Sequence, residues 1–131
     1  MSDRFSQARD SFADALARFE EALAVERTNP LALDGTIQRF EFTIEMAWRT
    51  LKHAAADQSI ATASPRQALE AGFRLGLIDD DGSWPAMLAD RNESTHTYKK
   101  ERAEALYARL PGHAIRFRAL LEKLTDINAA E

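Results

Sequence analysis

The chain has no cysteine among its 131 residues. That excludes a disulfide scaffold, a thiol nucleophile and a cysteine-based metal knuckle. Long apolar runs are missing as well, and nothing approaches the roughly 18 apolar residues of a membrane span. The opening residues, MSDRFSQARD, carry no apolar signal core, so the expected location is the cytoplasm. No stretch alternates apolar and polar residues at period two, which takes strands out of the expected architecture. Internal repeats, low-complexity tracts and linkers are absent. The length fits one domain over 1–131, able to bury roughly two thirds of its unfolded surface without a staple.

Metal-ligand spacing is also lacking. His53 and His113 belong to no HExxH-type pair. Asp79-Asp80-Asp81-Gly82 has neither the alternating ligands nor the closing Glu of a calcium loop, and reads as a helix-connecting turn. No metal and no cofactor is expected. The net charge of −4 argues against a protein that coats nucleic acid. The charge is uneven, however. Residues 1–90 carry 9 Lys/Arg against 15 Asp/Glu, a balance of −6, whereas 91–131 carry 8 against 6, a balance of +2. A local basic site on an acidic body suits a small phosphate-bearing target better than a long duplex.

What is present is helical periodicity. Phe5, Phe12, Leu16, Phe19 and Leu23 recur at spacings of seven, four, three and four, predicting a helix from 3 to about 26, stopped by Thr28-Asn29-Pro30. Leu33, Ile37, Phe40, Ile44, Ala47, Leu51 and Ala55 mark a second helix from roughly Leu31 or Asp34 to Ala56, antiparallel to the first. Ser64-Pro65-Arg66-Gln67 is a capping-box signature opening a short third helix, with Leu69 and Phe73 as anchors and Gly76 as its stop. Ser83 is placed to cap a fourth helix carrying Trp84, Met87 and Leu88. The polar run Asn92 to Thr95 predicts a bend or helix end, after which Thr95 or Thr97 caps the next helix through Ala105, Leu106 and Leu110. Pro111-Gly112 is expected to break or kink it before a last stretch with Ile115, Phe117, Leu120, Leu121, Leu124 and Ile127. The expected fold class is all-α, an up-down bundle of five to six helices.

The functional content lies in Arg91-Asn92-Glu93-Ser94-Thr95-His96-Thr97-Tyr98. It joins a permanent cation, a group that titrates near neutral pH and a phenol, the kit for cutting or modifying a phosphodiester. On a continuous helix Arg91 and Tyr98 share a face while His96 sits about 140° away, so a bend or a partner subunit would help the three converge.

The pattern Arg91-x4-His96-x-Tyr98 resembles the signature of the HEPN superfamily, and most closely its HepT-type branch, also described as nucleotidyltransferase substrate-binding proteins. The segment from Phe40 through Glu45 to Lys52 is similar to that branch's second helix. Ser64-Pro65-Arg66, Gly76-Leu77-Ile78-Asp79 and Trp84 follow in the same order, so the resemblance covers roughly residues 5–125. One departure concerns Lys99 and Lys100, which stand where the family often has an acidic residue or Asn after the Tyr. It bears on the electrostatics beside Tyr98 rather than on the three motif residues.

The resemblance implies a HEPN-like bundle that forms a homodimer, with a cleft at the two-fold axis lined by Arg, His and Tyr of both subunits. It implies metal-independent ribonuclease activity in a toxin–antitoxin pair, with a minimal nucleotidyltransferase as antitoxin that attaches nucleotides to Tyr98. The chemistry of the residues agrees. RNA carries its own nucleophile, the 2′-OH, and cleavage needs a base, an acid and a cation for the developing phosphorane charge. His96 suits proton transfer and Arg91 suits phosphate oxygens, these being the catalytic candidates. Asn92 and Tyr98 are the substrate-binding candidates.

Plainer readings stand beside these. His96 alone is a surface or cap histidine, Arg91 a solvated or salt-bridged residue, and Tyr98 a half-buried bundle residue. Glu41 and Glu45 form a polar wall of the cleft, a carboxylate pair for acid–base work or, as favoured, an ion-pair face in which Glu45 meets Arg49. Trp48 and Trp84 read as core. A second function from another class is a non-catalytic subunit that presents a nucleotide or substrate to a nucleotidyltransferase. A third is a structural helical adaptor.

Overall fold

A computed structural model of the chain describes residues 1–130, with side chains through Ile127. Five α-helices follow in order: α1 Asp3–Leu23, α2 Ala32–Asp57, α3 Pro65–Arg74, α4 Ser83–Glu93 and α5 Lys100–Ala130. A single 3-10 turn, Ser94–His96, joins α4 to α5. No strand occurs among the described residues, and no helix there is long and apolar enough to cross a membrane.

Helix α2 is the hub, packing against α1, α3, α4 and α5. Its stripe Ile37, Phe40, Ile44, Ala47 and Leu51 is buried, as is the α1 stripe Phe5, Phe12, Leu16 and Phe19. The α1–α2 seam can be close because α2 turns small Thr43 and Thr50 inward, with their hydroxyls donating to the Arg39 and Met46 carbonyls at 2.7 and 2.8 Å. Phe117 of α5 plugs the centre. Its ring lies 6.0 Å from Phe12 and Phe19, 6.2 Å from Phe40 and 5.6 Å from Trp84, so one aromatic cluster gathers α1, α2, α4 and α5. Trp84 is thus core. Trp48 is only half-buried, and its indole N–H donates to Glu45.

Helix α3 opens as its sequence predicts, with Ser64 Oγ accepting from the Gln67 N–H at 3.1 Å. The reciprocal arm of the box goes one residue further back than expected, to the Ala63 N–H at 2.7 Å. Gly76, at φ +72°, closes α3 in a Schellman motif: Leu77 N–H reaches the Gly72 carbonyl and Gly76 N–H the Phe73 carbonyl. Gly72 matters for another reason. A Cβ there would sit 3.1 Å from Ile78 and 3.3 Å from Leu51, so the glycine lets α3 lie close on α2.

Several expectations are corrected. Helix α1 stops at Leu23, earlier than about 26, because the next residues have no core to meet; Val25 is already 40% exposed. Thr28-Asn29-Pro30 instead prepares α2, where Asn29 Oδ1 accepts from the Leu31 N–H. Ser83 is the first helical residue rather than the cap; Gly82 holds that place, and Asp81 Oδ1 accepts the Ser83 N–H. The Asp79–Asp81 stretch is a connecting turn, with Asp81 also paired to Arg116. Pro111-Gly112 does not break the last helix. Both residues are solvent-facing, so the Pro ring is accommodated on the outside of a helix that runs unbroken through it. Continuity imposes one register on α5, burying Leu106, Leu110, Phe117, Leu120 and Leu124. Ile115 falls about 200° round from Phe117. It is 70% exposed and so lies outside the apolar stripe in which its sequence places it.

Candidate active site at the corner between helices α4 and α5

The motif occupies the corner where α4 unwinds. Three hydroxyls explain why it unwinds there. Ser94 Oγ donates to the Arg91 carbonyl at 2.5 Å, Thr95 Oγ1 to Asn92 at 3.1 Å and Thr97 Oγ1 to Ser94 at 2.8 Å. The first two serve carbonyls at the end of α4, and the third joins the Thr97 N–H on the Ser94 carbonyl, so side-chain hydroxyls help close the 3-10 turn. Contrary to expectation, neither Thr95 nor Thr97 caps α5, since both hydroxyls point backward. The Lys99 carbonyl accepts the first helical bond, from Ala103 at 3.1 Å.

The turn lifts the motif into solvent. His96 is exposed and Tyr98 is 78% exposed, which removes the reading of Tyr98 as a half-buried bundle residue. Their rings lie 6.4 Å apart, edge to face. Arg91, on the last turn of α4, reaches back toward α2, where its guanidinium is 3.7 Å from Glu45 Oε2. Glu45 also accepts from Arg49 at 3.1 Å, the expected i,i+4 pair, and from Trp48 at 3.1 Å. One carboxylate therefore gathers three donors from two helices.

Glu41 stands apart from Glu45. It lines an open groove of about 490 Å³ together with Asp34, Thr97, Tyr98 and Lys100. The phenol edge of the motif thus faces an acidic wall from α2 and a lysine from α5. Asn92 faces elsewhere. It lines a separate groove between α3 and α4, with Arg66, Phe73 and Leu88. Within one chain, then, His96 and Tyr98 are together, Arg91 is on the adjoining α2-facing side, and Asn92 looks toward α3.

Sequence reasoning missed the group that holds this corner in place. Asp90, the residue before Arg91, is buried, and both its oxygens receive Arg109, Nε on Oδ2 and Nη2 on Oδ1, each at 2.9 Å. His113 Nε2 lies 2.7 Å from the same Oδ2 and stacks on Phe40 at 5.4 Å. Burial pushes the Asp90 carboxyl up, but the hydrogen bonds and charge of Arg109 and His113 outweigh it, leaving the group below the ordinary carboxylate value. The available signal was the i,i+4 spacing of Arg109 and His113, two basic residues on one face of α5. Pro111 between them reads as a helix break and so hides their shared face.

Residues 7–126 match the family described as nucleotidyltransferase substrate binding protein like. A Haemophilus influenzae relative named probable ribonuclease HepT is 34% identical over 99 residues, covering 72% of this chain and 68% of the relative. The crystal structure of a Thermus thermophilus protein is similar at TM-score 0.80 and 31% identity, over 86% of this chain and 98% of that one. A second solved structure, from Haemophilus influenzae and described as revealing the fold of a substrate binding domain of a nucleotidyltransferase, is similar at TM-score 0.69 and 27% identity. It covers 92% of this chain and 96% of its own.

Proposed function

The chain belongs to the nucleotidyltransferase substrate binding protein like family, and from that premise we propose that it is a HepT-like, metal-independent ribonuclease toxin. It acts as a homodimer and is neutralised by a minimal nucleotidyltransferase antitoxin. The observation that carries the reading is the display of His96 and Tyr98 on an exposed turn, with Arg91 beside it on the last turn of α4.

In the proposed reaction one His96 takes the proton of the RNA 2′-OH as that oxygen attacks the adjacent phosphorus. The bond to the 5′-oxygen breaks, and His96 of a second copy protonates it, leaving a 2′,3′-cyclic phosphate and a 5′-hydroxyl. Arg91 exchanges its 3.7 Å contact with Glu45 for the phosphorane oxygens. Tyr98 positions the substrate. Its exposed hydroxyl is also the proposed nucleotide acceptor, attacking the α-phosphorus of a nucleoside triphosphate with release of pyrophosphate. Either modification or bound antitoxin then blocks the corner.

Induced expression in a bacterial host tests this reading. Wild type is expected to arrest growth and generate new RNA ends, and His96→Ala to do neither while keeping its helical circular-dichroism spectrum. Equal toxicity of the two proteins would refute the assignment. A second reading is favoured by one observation, the occupation of Arg91 by Glu45. Here the protein is a non-catalytic subunit that presents a nucleotide or substrate to a nucleotidyltransferase. Nucleotide binding by purified protein with RNA left intact would select it.

A further inference from the structure

The groove between α3 and α4 has a composition that the motif chemistry does not use. Its walls are the apolar side chains of Leu69, Phe73, Pro85 and Leu88, and polar groups stand at its rim: Arg66 and Glu70 from α3 and Asn92 from α4. The volume is about 200 Å³, and it is more enclosed than the groove beside Tyr98. That is below the roughly 300–1,000 Å³ of sites for whole drug-sized ligands and suits a single planar ring system.

The three rim side chains share one property. Most arginines of this chain are engaged by a carboxylate, for example Arg27 by Glu104, Arg109 by Asp90 and Arg116 by Asp81. Arg66, Glu70 and the Asn92 amide have no hydrogen-bond or ion-pair partner among the described residues. Arg66 and Glu70 are separated by one helical turn, the spacing at which such residues ordinarily pair, yet they do not. A cation, an acceptor and an amide therefore surround an apolar slot, each free to meet a ligand. Asn92 is next to Arg91 in the chain, so the slot opens about 100° round α4 from the catalytic candidate.

We infer that this groove is a nucleobase subsite, taking a guanine from a nucleotide adjoining the scissile phosphate. The inference rests on the ribonuclease reading and deepens it by naming the base. Leu69, Phe73 and Leu88 cover the ring faces. Glu70 accepts from guanine N1–H and N2–H, two parallel donors that suit one carboxylate and that adenine, cytosine and uracil do not present together. The Asn92 amide N–H donates to O6. Arg66, at the rim, holds the nucleotide's phosphate. Glu70 supplies selectivity, because a different base would leave its charge beside an unmatched edge.

Direct binding tests this without requiring cleavage. The methyl and aromatic resonances of Leu69, Phe73 and Leu88 are followed by NMR while guanosine, adenosine, cytidine and uridine 5′-monophosphates are titrated into the full-length protein. Saturable shifts at those residues with the guanosine nucleotide are expected, at least tenfold tighter than with the others. Glu70→Gln should abolish that preference, and Arg66→Ala should weaken all four nucleotides about equally. Both residues are solvent-facing and unpaired, so neither variant threatens the fold. Absence of shifts in the groove, or a guanine preference that survives Glu70→Gln, overturns the subsite. A cleavage assay keeps the two inferences apart. RNA cut by wild type and not by His96→Ala, with identical KM values for wild type and Glu70→Gln on guanine-containing substrates, rejects the subsite and leaves the ribonuclease reading standing. Guanosine nucleotide bound in the groove by a protein that cuts no RNA rejects the ribonuclease reading alone.

Discussion

Two consecutive residues of α4, Asp90 and Arg91, each meet a partner of opposite charge, and they do so in opposite ways. Asp90 is buried, takes both arms of Arg109 at 2.9 Å and adds His113 at 2.7 Å. Arg91 is 39% exposed by its side chain and meets Glu45 once, at 3.7 Å. The Asp90 carboxylate is costly to strip of its partners, because it is buried and would be left poorly solvated, whereas the Arg109 side chain that clasps it is itself 47% exposed. A single, partly solvated contact contributes little and is readily exchanged. The first fixes the end of α4 on α5; the second holds a guanidinium by a contact that, on the proposed reading, a phosphate replaces. One turn of helix thus carries both an anchor and the proposed phosphate-binding group.

The comparison breaks most visibly at the anchor. Asp90→Ala is expected to destabilise the protein by about 2–3 kcal/mol. That corresponds to a fall in Tm of roughly 10 °C by calorimetry. Loss below about 0.5 kcal/mol would mean that the cluster is incidental. Acid should reproduce part of this effect. The folded Asp90 carboxyl lies below its ordinary value, so its stabilisation is present above the unfolded value, near pH 4, and is lost as pH falls through the folded one. The difference in unfolding free energy between wild type and Asp90→Asn should therefore shrink progressively below about pH 4. A constant difference across that range would contradict the assigned charge.

Smaller effects sharpen the contrast. Glu45→Gln removes the charge that restrains Arg91, and RNA affinity should rise about threefold, at a stability loss under about 1 kcal/mol. A large fall in cleavage rate would instead make Glu45 a participant in acid–base chemistry. The smallest expected effect lies away from the site. Ser59 ends α2 at φ +61°, and the Ile60 N–H reaches back to the Ala55 carbonyl, the closure that Gly76 provides for α3. Ser59→Gly should raise stability by about 0.5–1 kcal/mol in denaturant melts, since glycine takes this conformation without strain.

The helices were legible where apolar residues recur over many turns, as in α1 and α2, since periodicity reports directly on which face is buried. Legibility failed at ends and interruptions. The sequence around Pro111 reads as a break, but a proline that faces solvent can be carried by a long helix packed along its opposite side. Ser83 and the threonines at 95 and 97 are good caps by composition, but which carbonyl a hydroxyl serves depends on how the chain turns. The motif residues could be singled out from their chemistry and from family resemblance. Their division between grooves could not, because Arg91 and Asn92 diverge only once α4 is seated between α2 and α3. The Asp90 anchor was hidden for a related reason: its partners lie 19 and 23 residues away.

The most direct test of this division of labour compares Asp90→Asn with Arg91→Gln, measuring Tm and RNA-cleavage rate on the same preparations. Arg91→Gln is expected to lower the rate at least 100-fold, in keeping with loss of a group that stabilises transition-state charge, and to move Tm by less than about 3 °C. Asp90→Asn is expected to lower Tm by several degrees. The opposite pattern, with Arg91→Gln unfolding early and its surviving folded fraction cutting RNA at the wild-type rate, would contradict the account.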